Sequence, residues 1–369
     1  MDCPARAPRN ARTLKREDVT CRDSMNLSKY KCVVCDQCRL RVDSTFWQCE
    51  NCQQKYPTVR GVPKLFLENN LGERDRKLRD FFYNGFLGKY YRHVMPFLAL
   101  PVRPGYWNGW LVYGLIVSAL LLLAGYVSNF LFFARRWRSP SVLDVALLFL
   151  FVGAIYFLLR HRYLLYLLLL AIPVKISLRF TNFKPEESFP EAHAELIESL
   201  LQRSERLQVL DISTGTCNSL YRHGWMKLNA DYTGIDLSET MLFRGLDFMR
   251  QEQVPMEFVL GDAARLPFDS ETFDVVLNYG ALNGYTNPQH ALNEMARVAK
   301  PKGLVLFFDE QLHGSASWIE RAYFLRVLSS HDLIHRCPVE LIPASLRDIK
   351  VRQIYHFYYL CSCYKSSQS

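Results

Sequence analysis

From Glu186 onward the chain alternates between two periodicities. Apolar runs of strand length, LQVLDIS, DYTGIDL, MEFVLGDA, FDVVLNYG and GLVLFFDE, are separated by stretches with helical spacing. Those stretches are PEAHAELIESLLQRSE, NSLYRHGWMKL, SETMLFRGLDFMRQ and PQHALNEMARVAK. Strands alternating with helices predict an α/β fold with a doubly wound parallel sheet. The final segment, IKVRQIYHFYYLCSCYK, alternates as a terminal β-hairpin does.

Upstream the pattern changes. Residues 104–134 carry no charged side chain over 31 positions, and Trp and Tyr lie near the start of the run. A spanning helix needs about 20 apolar residues, and aromatic side chains favour the membrane interface. Arg135, Arg136 and Arg138 follow; residues 139–159 then carry only Asp144, and Tyr163–Val174 is again apolar. These features predict a transmembrane or re-entrant hairpin over 104–178, with one, two or three membrane segments left open. Lys89, Arg92 and Arg103 precede it, and Arg160, Arg162, Lys175 and Arg179 follow the second run. Seven basic flanking residues against three at the tip favour both flanks inside. The expected localisation is an integral or monotopic membrane protein, with both polar ends on the cytoplasmic side.

The 369 residues suit about two domains. A formal charge of +9 suits nucleic acid or an anionic surface and does not choose between them. Residues 1–27 lack an apolar core, so they read as a disordered basic tail and not a secretory signal. Eleven cysteines is an odd count, and four of them form two CxxC pairs, which favours metal over a disulfide framework. That usage points to a reducing compartment.

Cys32, Cys35, Cys49 and Cys52 form C-x2-C-x13-C-x2-C within a segment spanning 28–68. Two such knuckles complete a closed, tetrahedral, structural zinc site. A segment this small depends on its metal for folding. Cys38, three residues after Cys35, reads as a spare thiol. The trailing YPTVRGVPKLF resembles the ending of the small zinc ribbon that accompanies many methyltransferases, either fused or as a separate activator. That resemblance implies an interaction module and a candidate surface for a protein partner.

Four motifs in order carry a second resemblance over Glu186–Lys365. They are VLDISTGTCN, YTGIDLSETML, GDAARLPFDSETFDVV and EMARVAKPKGLVLFFD. Together they resemble the class I S-adenosylmethionine-dependent methyltransferases of the ubiquinone/menaquinone type. The resemblance implies a Rossmann-like seven-stranded methyltransferase sheet over 179–369. The whole chain would add to it a small zinc ribbon and a two-helix membrane hairpin.

Ligands in such sheets sit at the carboxyl ends of the strands. Asp211 ends the first strand, and Gly215 allows close approach of the backbone to a ligand. Ser213 and Cys217 stand where the family has its outer two glycines. Cysteine does not adopt positive φ cheaply, so Cys217 is expected to begin the helix, capped by Asn218 or Ser219. Asp236, with Leu237 beside it, is expected on the ribose hydroxyls. The family pattern puts Asp262 on the adenine amino group, with the Ala263 amide on the ring. Asn278 and Tyr279 would face the methyl end.

The implied cofactors are S-adenosyl-L-methionine and structural Zn2+. A sulfonium methyl is already electrophilic, so the enzyme mainly positions the acceptor and excludes water. A hydroxyl acceptor wants a nearby base. The family often has histidine after AL, but this chain has ALNGYTNP, with Asn283 in that place. Tyr279, Asn283 and Tyr285 are the catalytic candidates, with His223 and His290 behind them. The lack of an NPPY-type loop argues against base N-methylation of nucleic acid.

Residues 69–103 read as a lid or linker, because RDFFYNGFLGKYYRHVMPF resembles the aromatic helix that covers the family's active site. The apolar segment falls between that helix and Asp211. The favoured function is therefore methylation of a lipophilic acceptor, an isoprenoid quinone or a lipid head group, reached from a membrane. An RNA methyltransferase using the ribbon for recognition, and a catalytically silent scaffold, are the alternatives.

Overall fold

A computed structural model describes residues 27–37, 40–43, 45–85, 189–316, 336–354 and 357–367, with the single positions 88, 149, 153, 318, 321 and 324. The expected basic tail, apart from Leu27, and the expected hairpin over 104–178, apart from positions 149 and 153, lie outside these residues.

Among the described residues no helix is long and apolar enough to cross a membrane. The longest have 13 residues. At 1.5 Å per residue they span about 20 Å, short of a hydrocarbon core of about 30 Å. This overturns the expected integral or monotopic membrane localisation. That expectation came from an uncharged run, the aromatic residues at its start and the basic residues on its flanks, and none of these by itself establishes a spanning helix.

The N-terminal unit is a four-stranded antiparallel sheet in the order β1-β2-β3-β4. Its strands are Leu40–Val42, Phe46–Cys49, Lys55–Val59 and Val62–Pro63. A short helix α1, Glu73–Lys77, follows and runs on as a wider turn through Leu78–Tyr83.

The larger unit begins with α2, Phe189–Leu201, and β5, Leu207–Ile212. Then come α3 (Asn218–Arg222), β6 (Ala230–Asp236), α4 (Glu239–Gln251) and β7 (Met256–Leu260). β8 (Phe273–Tyr279), α5 (Pro288–Val298) and β9 (Ala299–Glu310) lead to the terminal hairpin β10 (Leu346–Ile354) and β11 (Tyr358–Lys365). The seven strands lie in the order β10-β11-β9-β8-β5-β6-β7. β9 to β7 pair in parallel, whereas β11 runs antiparallel to β9 and to β10. The sheet is thus mixed, with the predicted parallel core and the predicted hairpin at one edge. The helix expected over NSLYRHGWMKL is interrupted at Gly224, whose φ of 84° turns the chain into a short 3-10 turn.

Strand residues alternate between two cores, as a sheet covered on both faces requires. Leu210, Ile212, Val276 and Phe307 pack with α5 on one face. Val209, Val275, Leu277 and Leu306 pack with α2 and α4 on the other. Side-chain caps fix where the helices start. Ser238 accepts from Met241 N at 3.2 Å to open α4. Asn287 accepts from His290 N at 3.0 Å before Pro288 opens α5. Each such cap is worth about 1 kcal/mol.

The small N-terminal sheet docks on the β7 edge of the large one. Leu65 N donates to Leu260 O at 2.8 Å, and Lys31 N to Pro267 O at 3.0 Å. Tyr30 inserts between Trp47 and Phe268, with ring centroids 5.2 and 5.3 Å away. Leu65 and Phe268 are fully buried in the same cluster, each contributing about 1.5–3 kcal/mol. Buried Lys29 reaches the partly buried Glu257 at 2.8 Å and Thr233 at 2.9 Å, a polar tie between the two units. An edge strand that would otherwise expose unpaired backbone groups is thereby covered.

Candidate functional site

A cleft of about 450 Å³ opens at the carboxyl ends of the parallel strands. Its floor is the loop after β5. Ser213, Gly215 and Cys217 there have φ of 55°, 52° and 58°. All three positions where the family has glycine are left-handed, two of them without glycine. The expectation that Cys217 begins the helix is corrected: Cys217 is itself the left-handed N-cap residue, and α3 starts at Asn218. Its thiol is fully buried and 3.5 Å from Thr214 Oγ1. Packing of the side chain in the core accompanies a conformation that costs a non-glycine residue about 1–2 kcal/mol.

Of the eight residues expected to hold a cofactor, six line the cleft: Ser213, Gly215, Asp236, Leu237, Asp262 and Ala263. Asp211 and Asn278 do not. Asp211 lies behind the loop and accepts from Thr214 Oγ1 at 2.6 Å, so it shapes the loop from below. Burial pushes its carboxyl up to about 7. Asp236 accepts from Gly215 N and from Ser238 N, both at 2.8 Å, and burial holds it at about 6. Asp262 accepts from Ala264 N at 2.9 Å and is also raised by burial. Asn278 is fully buried; its Nδ2 donates to Ile212 O and to Tyr285 Oη. Among the described residues its Oδ1 is the buried side-chain polar atom without a partner.

All three expected catalytic residues line the cleft, but their polar atoms are engaged. The Tyr279 hydroxyl accepts from Trp225 Nε1 at 2.7 Å and lies 2.8 Å from His193 Nε2. Its ring stacks on His223 at 5.2 Å. Tyr285 Oη lies 2.7 Å from Ser213 Oγ and accepts from Asn278. Asn283 donates through its amide N–H to Asp309 Oδ2 and through Nδ2 to Glu310 O, both at 2.8 Å. Its Oδ1 accepts from Tyr359 at 3.3 Å. These are the contacts of side chains that hold the walls in place. His290 sits on the exposed start of α5.

Two carboxyls that the sequence reading left out also line the cleft, Asp309 and Glu310 at the end of β9. The signal was present, since an acid at the carboxyl end of a strand is what singled out Asp236. His193 and Trp225 carry no comparable signal; they look like core residues on amphipathic segments. The segment around α1 contributes Arg74, Asp75, Leu78 and Tyr83 to the cleft, where a lid was expected. It is fastened on both sides: Thr286 N donates to Asp75 at 3.0 Å, and Ser238 Oγ donates to Asn84 Oδ1 at 2.8 Å.

The family described as "Methyltransferase domain" matches residues 210–307, the stretch that builds this cleft. The chain is similar to the ubiquinone/menaquinone biosynthesis C-methyltransferase of Cereibacter sphaeroides, 34% identical over 33% of this chain and 50% of the relative. It is also similar to the phthiotriol/phenolphthiotriol dimycocerosates methyltransferase of Mycobacterium leprae, 42% identical over 22% of this chain and 29% of the relative. The chain thus spans half or less of the length of these relatives. Among solved structures, phosphoethanolamine N-methyltransferase 2 of Haemonchus contortus in complex with S-adenosyl-L-methionine aligns at a TM-score of 0.39 and 15% identity, over 48% of this chain and 52% of that one.

The cleft fits a nucleoside cofactor on its own chemistry. Each Asp236 oxygen accepts one backbone N–H and keeps a further acceptor site, so the carboxylate can take both hydroxyls of a ribose. Asp262 offers a second acceptor one strand away.

The N-terminal cysteines are brought together as expected. The sulfur atoms of Cys32, Cys35, Cys49 and Cys52 all lie within 4.8 Å of one another. Cys32 and Cys52 are 3.5 Å apart, as are Cys35 and Cys49. A four-thiolate zinc site with 2.3 Å bonds has edges of about 3.8 Å, so the spacing and the all-sulfur donor set suit zinc. Cys38 lies outside the described residues.

Proposed function

We propose that this chain is an S-adenosylmethionine-dependent methyltransferase whose acceptor is a lipophilic, hydroxyl-bearing molecule of the isoprenoid quinol or lipid head group kind. The observation that carries the reading is the tie between Gly215 N and Asp236. It joins the loop after β5 to the acidic end of β6 on the cleft surface. When bound, the cofactor would supply an electrophilic methyl group on sulfur.

The chain's own residues would do the rest. Asp236 would take the ribose hydroxyls, Asp262 the adenine amino group, and the Ala263 amide the ring edge. Gly215 would let the loop backbone lie against the ligand, while Leu237 packs beside it. Leu78 and Tyr83 would exclude water from above. The Tyr279 ring would form an aromatic wall at the methyl end, because its hydroxyl is bound on the far side. The acceptor class is supported by the names of the two relatives, which concern quinones and a complex lipid. Cys32, Cys35, Cys49 and Cys52 would hold a structural zinc that keeps the ribbon docked on β7.

Calorimetric titration of the full chain with S-adenosylhomocysteine tests the cofactor reading. Binding in the wild type that is lost in Gly215→Val supports it. A Cβ at Gly215 would sit at φ 52°, 3.4 Å from Met241 Cε and 3.9 Å from Asp236 Oδ2, and a β-branched residue is strained there. No binding by a folded wild type sinks it.

A further inference from the structure

We infer that Glu310 is the proton acceptor at the acceptor end of the cleft, and that Asp309 is its positioning residue. The inference rests on the methyl-transfer reading above. In the sheet order, β5, β6 and β7 lie to one side and carry the cofactor-type groups. β8 and β9 lie to the other side, so the second reactant enters over their ends. Glu310 closes β9 and lines the cleft there, next to Tyr279, whose strand pairs with β9 at Phe308.

Elimination narrows the choice among the cleft-lining residues. Tyr279, Tyr285 and Asn283 have their polar atoms committed to Trp225, Ser213, Asn278, Glu310 O and Tyr359. Asp236 is tied to two backbone amides at the cofactor end. Asp309 is nearly fully buried; its two oxygens accept from Asn283 N at 2.8 Å and Glu310 N at 2.9 Å. The Glu310 side chain lines the cleft and hydrogen-bonds the Asp309 carboxyl, so two carboxyls meet at this end.

Burial first, and then the charge of Asp309, hold the Glu310 carboxyl well above the usual carboxylate range. The other titratable groups around the pair are Tyr359 on β11, with Cys361 on the same strand and Cys337 nearby. All of these are neutral or anionic, and none draws the Glu310 carboxyl down. A general base works best when its pKa lies near the working pH, so the raised Glu310 carboxyl accepts the proton only once it has ionised, which gives the rate an ascending limb with pH.

In the balanced step, the acceptor's hydroxyl proton passes to the Glu310 carboxylate. The acceptor's oxygen, or the ring carbon conjugated to it, bonds the methyl carbon. The carbon–sulfur bond breaks, and its electron pair remains on sulfur as a neutral thioether. Carbon methylation then releases the ring proton to solvent, and the protonated Glu310 returns its proton to the acceptor's oxygen, so one proton leaves overall.

The test compares full-length wild type, Glu310→Gln and Glu310→Asp. S-adenosylhomocysteine binding is read by calorimetry, and the protonated-carboxyl infrared band is followed against pH. Methyl transfer is measured to a short-chain prenyl hydroquinone. If Glu310 is the base, Glu310→Gln binds S-adenosylhomocysteine within about twofold of wild type. Its kcat falls by about 10²–10⁴-fold, and it loses both the ascending limb of the pH profile and the high-titrating infrared band. Glu310→Asp recovers part of the rate. Transfer by Glu310→Gln at the wild-type rate and pH profile overturns the inference while leaving the function standing. Loss of S-adenosylhomocysteine binding in Glu310→Gln makes the residue structural and also overturns it. A wild type that binds S-adenosylhomocysteine but methylates no hydroquinone sinks the proposed acceptor class, and the role of Glu310 with it.

Discussion

Gly215 N donates to Asp236 Oδ2 at 2.8 Å, and this bond holds the cofactor-type loop against the end of the neighbouring strand. The back of the loop rests on α4 at Gly245. A Cβ built there would lie 2.6 Å from Gly215 O and 2.8 Å from Cys217 Sγ. In an exposed helix interior, alanine is more favourable than glycine by about 1 kcal/mol. Here the sign should reverse, because the obstacle is backbone. Gly245→Ala is expected to lose about 1–3 kcal/mol in urea unfolding and to weaken S-adenosylhomocysteine binding. A stabilised variant would show that the loop is not pinned by this contact.

Asp211 gives the domain a pH dependence of defined sign. Its folded-state pKa is raised to about 7 by burial, above the value of 3.8 expected for an exposed carboxyl. The folded protein therefore holds this proton more tightly than the unfolded chain. The resulting stabilisation is complete below about pH 4 and is lost as pH rises through about 7. Asp236, raised to about 6, acts in the same direction. For Asp211 the whole swing is at most about 4 kcal/mol. Asp211→Asn should flatten the decline in urea midpoint between pH 5 and pH 8. An unchanged slope would place the titration elsewhere.

The four motifs located the strands and the loops that line the cleft, because the sheet's pattern is local there. Asp236 and Asp262 each end a strand that ordinary apolar patterning marks. Cys217 was misjudged because its left-handed conformation is compensated at a distance, by Gly245 on α4 and the core around Met256. Tyr279 and Asn283 line the cleft, but the groups that engage their polar atoms are not legible in the sequence. Their partners, His193, Trp225 and Asp309, come from segments 86, 54 and 26 residues away, and no spacing rule joins them. The docking of the ribbon on β7 was equally invisible, since Lys29 and Glu257 are 228 residues apart and each reads as a surface charge.

The cysteine cluster predicts metal content directly. Elemental analysis of protein purified without chelator should find about one zinc per chain, as a four-thiolate structural site binds one ion. Removing it should loosen the ribbon from β7. Hydrogen exchange should then rise at Leu65, whose amide bonds Leu260 O at 2.8 Å, while exchange in β8 stays slow. Substituting Cys32 or Cys49 with serine should reproduce both effects. A metal-free preparation with full protection at Leu65 would mean that the ribbon stands on its apolar packing alone.

Tyr279 separates a wall from a catalyst. Its hydroxyl sits between Trp225 Nε1 and His193 Nε2, and burial raises its pKa well above that of a free phenol. A phenol held on the side away from the cleft contributes to positioning and not to proton transfer. Tyr279→Phe should therefore keep methyl transfer within a few-fold of wild type, with an unchanged pH profile. It should cost about 1–3 kcal/mol of stability, because the buried Trp225 N–H loses its acceptor. Tyr279→Ala should be far worse, because it removes the aromatic wall and opens a cavity, a change that costs about 3–5 kcal/mol at buried aromatic positions. A Tyr279→Phe variant that stayed folded but lost several hundred-fold in kcat would return the hydroxyl to the chemistry, and would remove the elimination step by which Glu310 was reached.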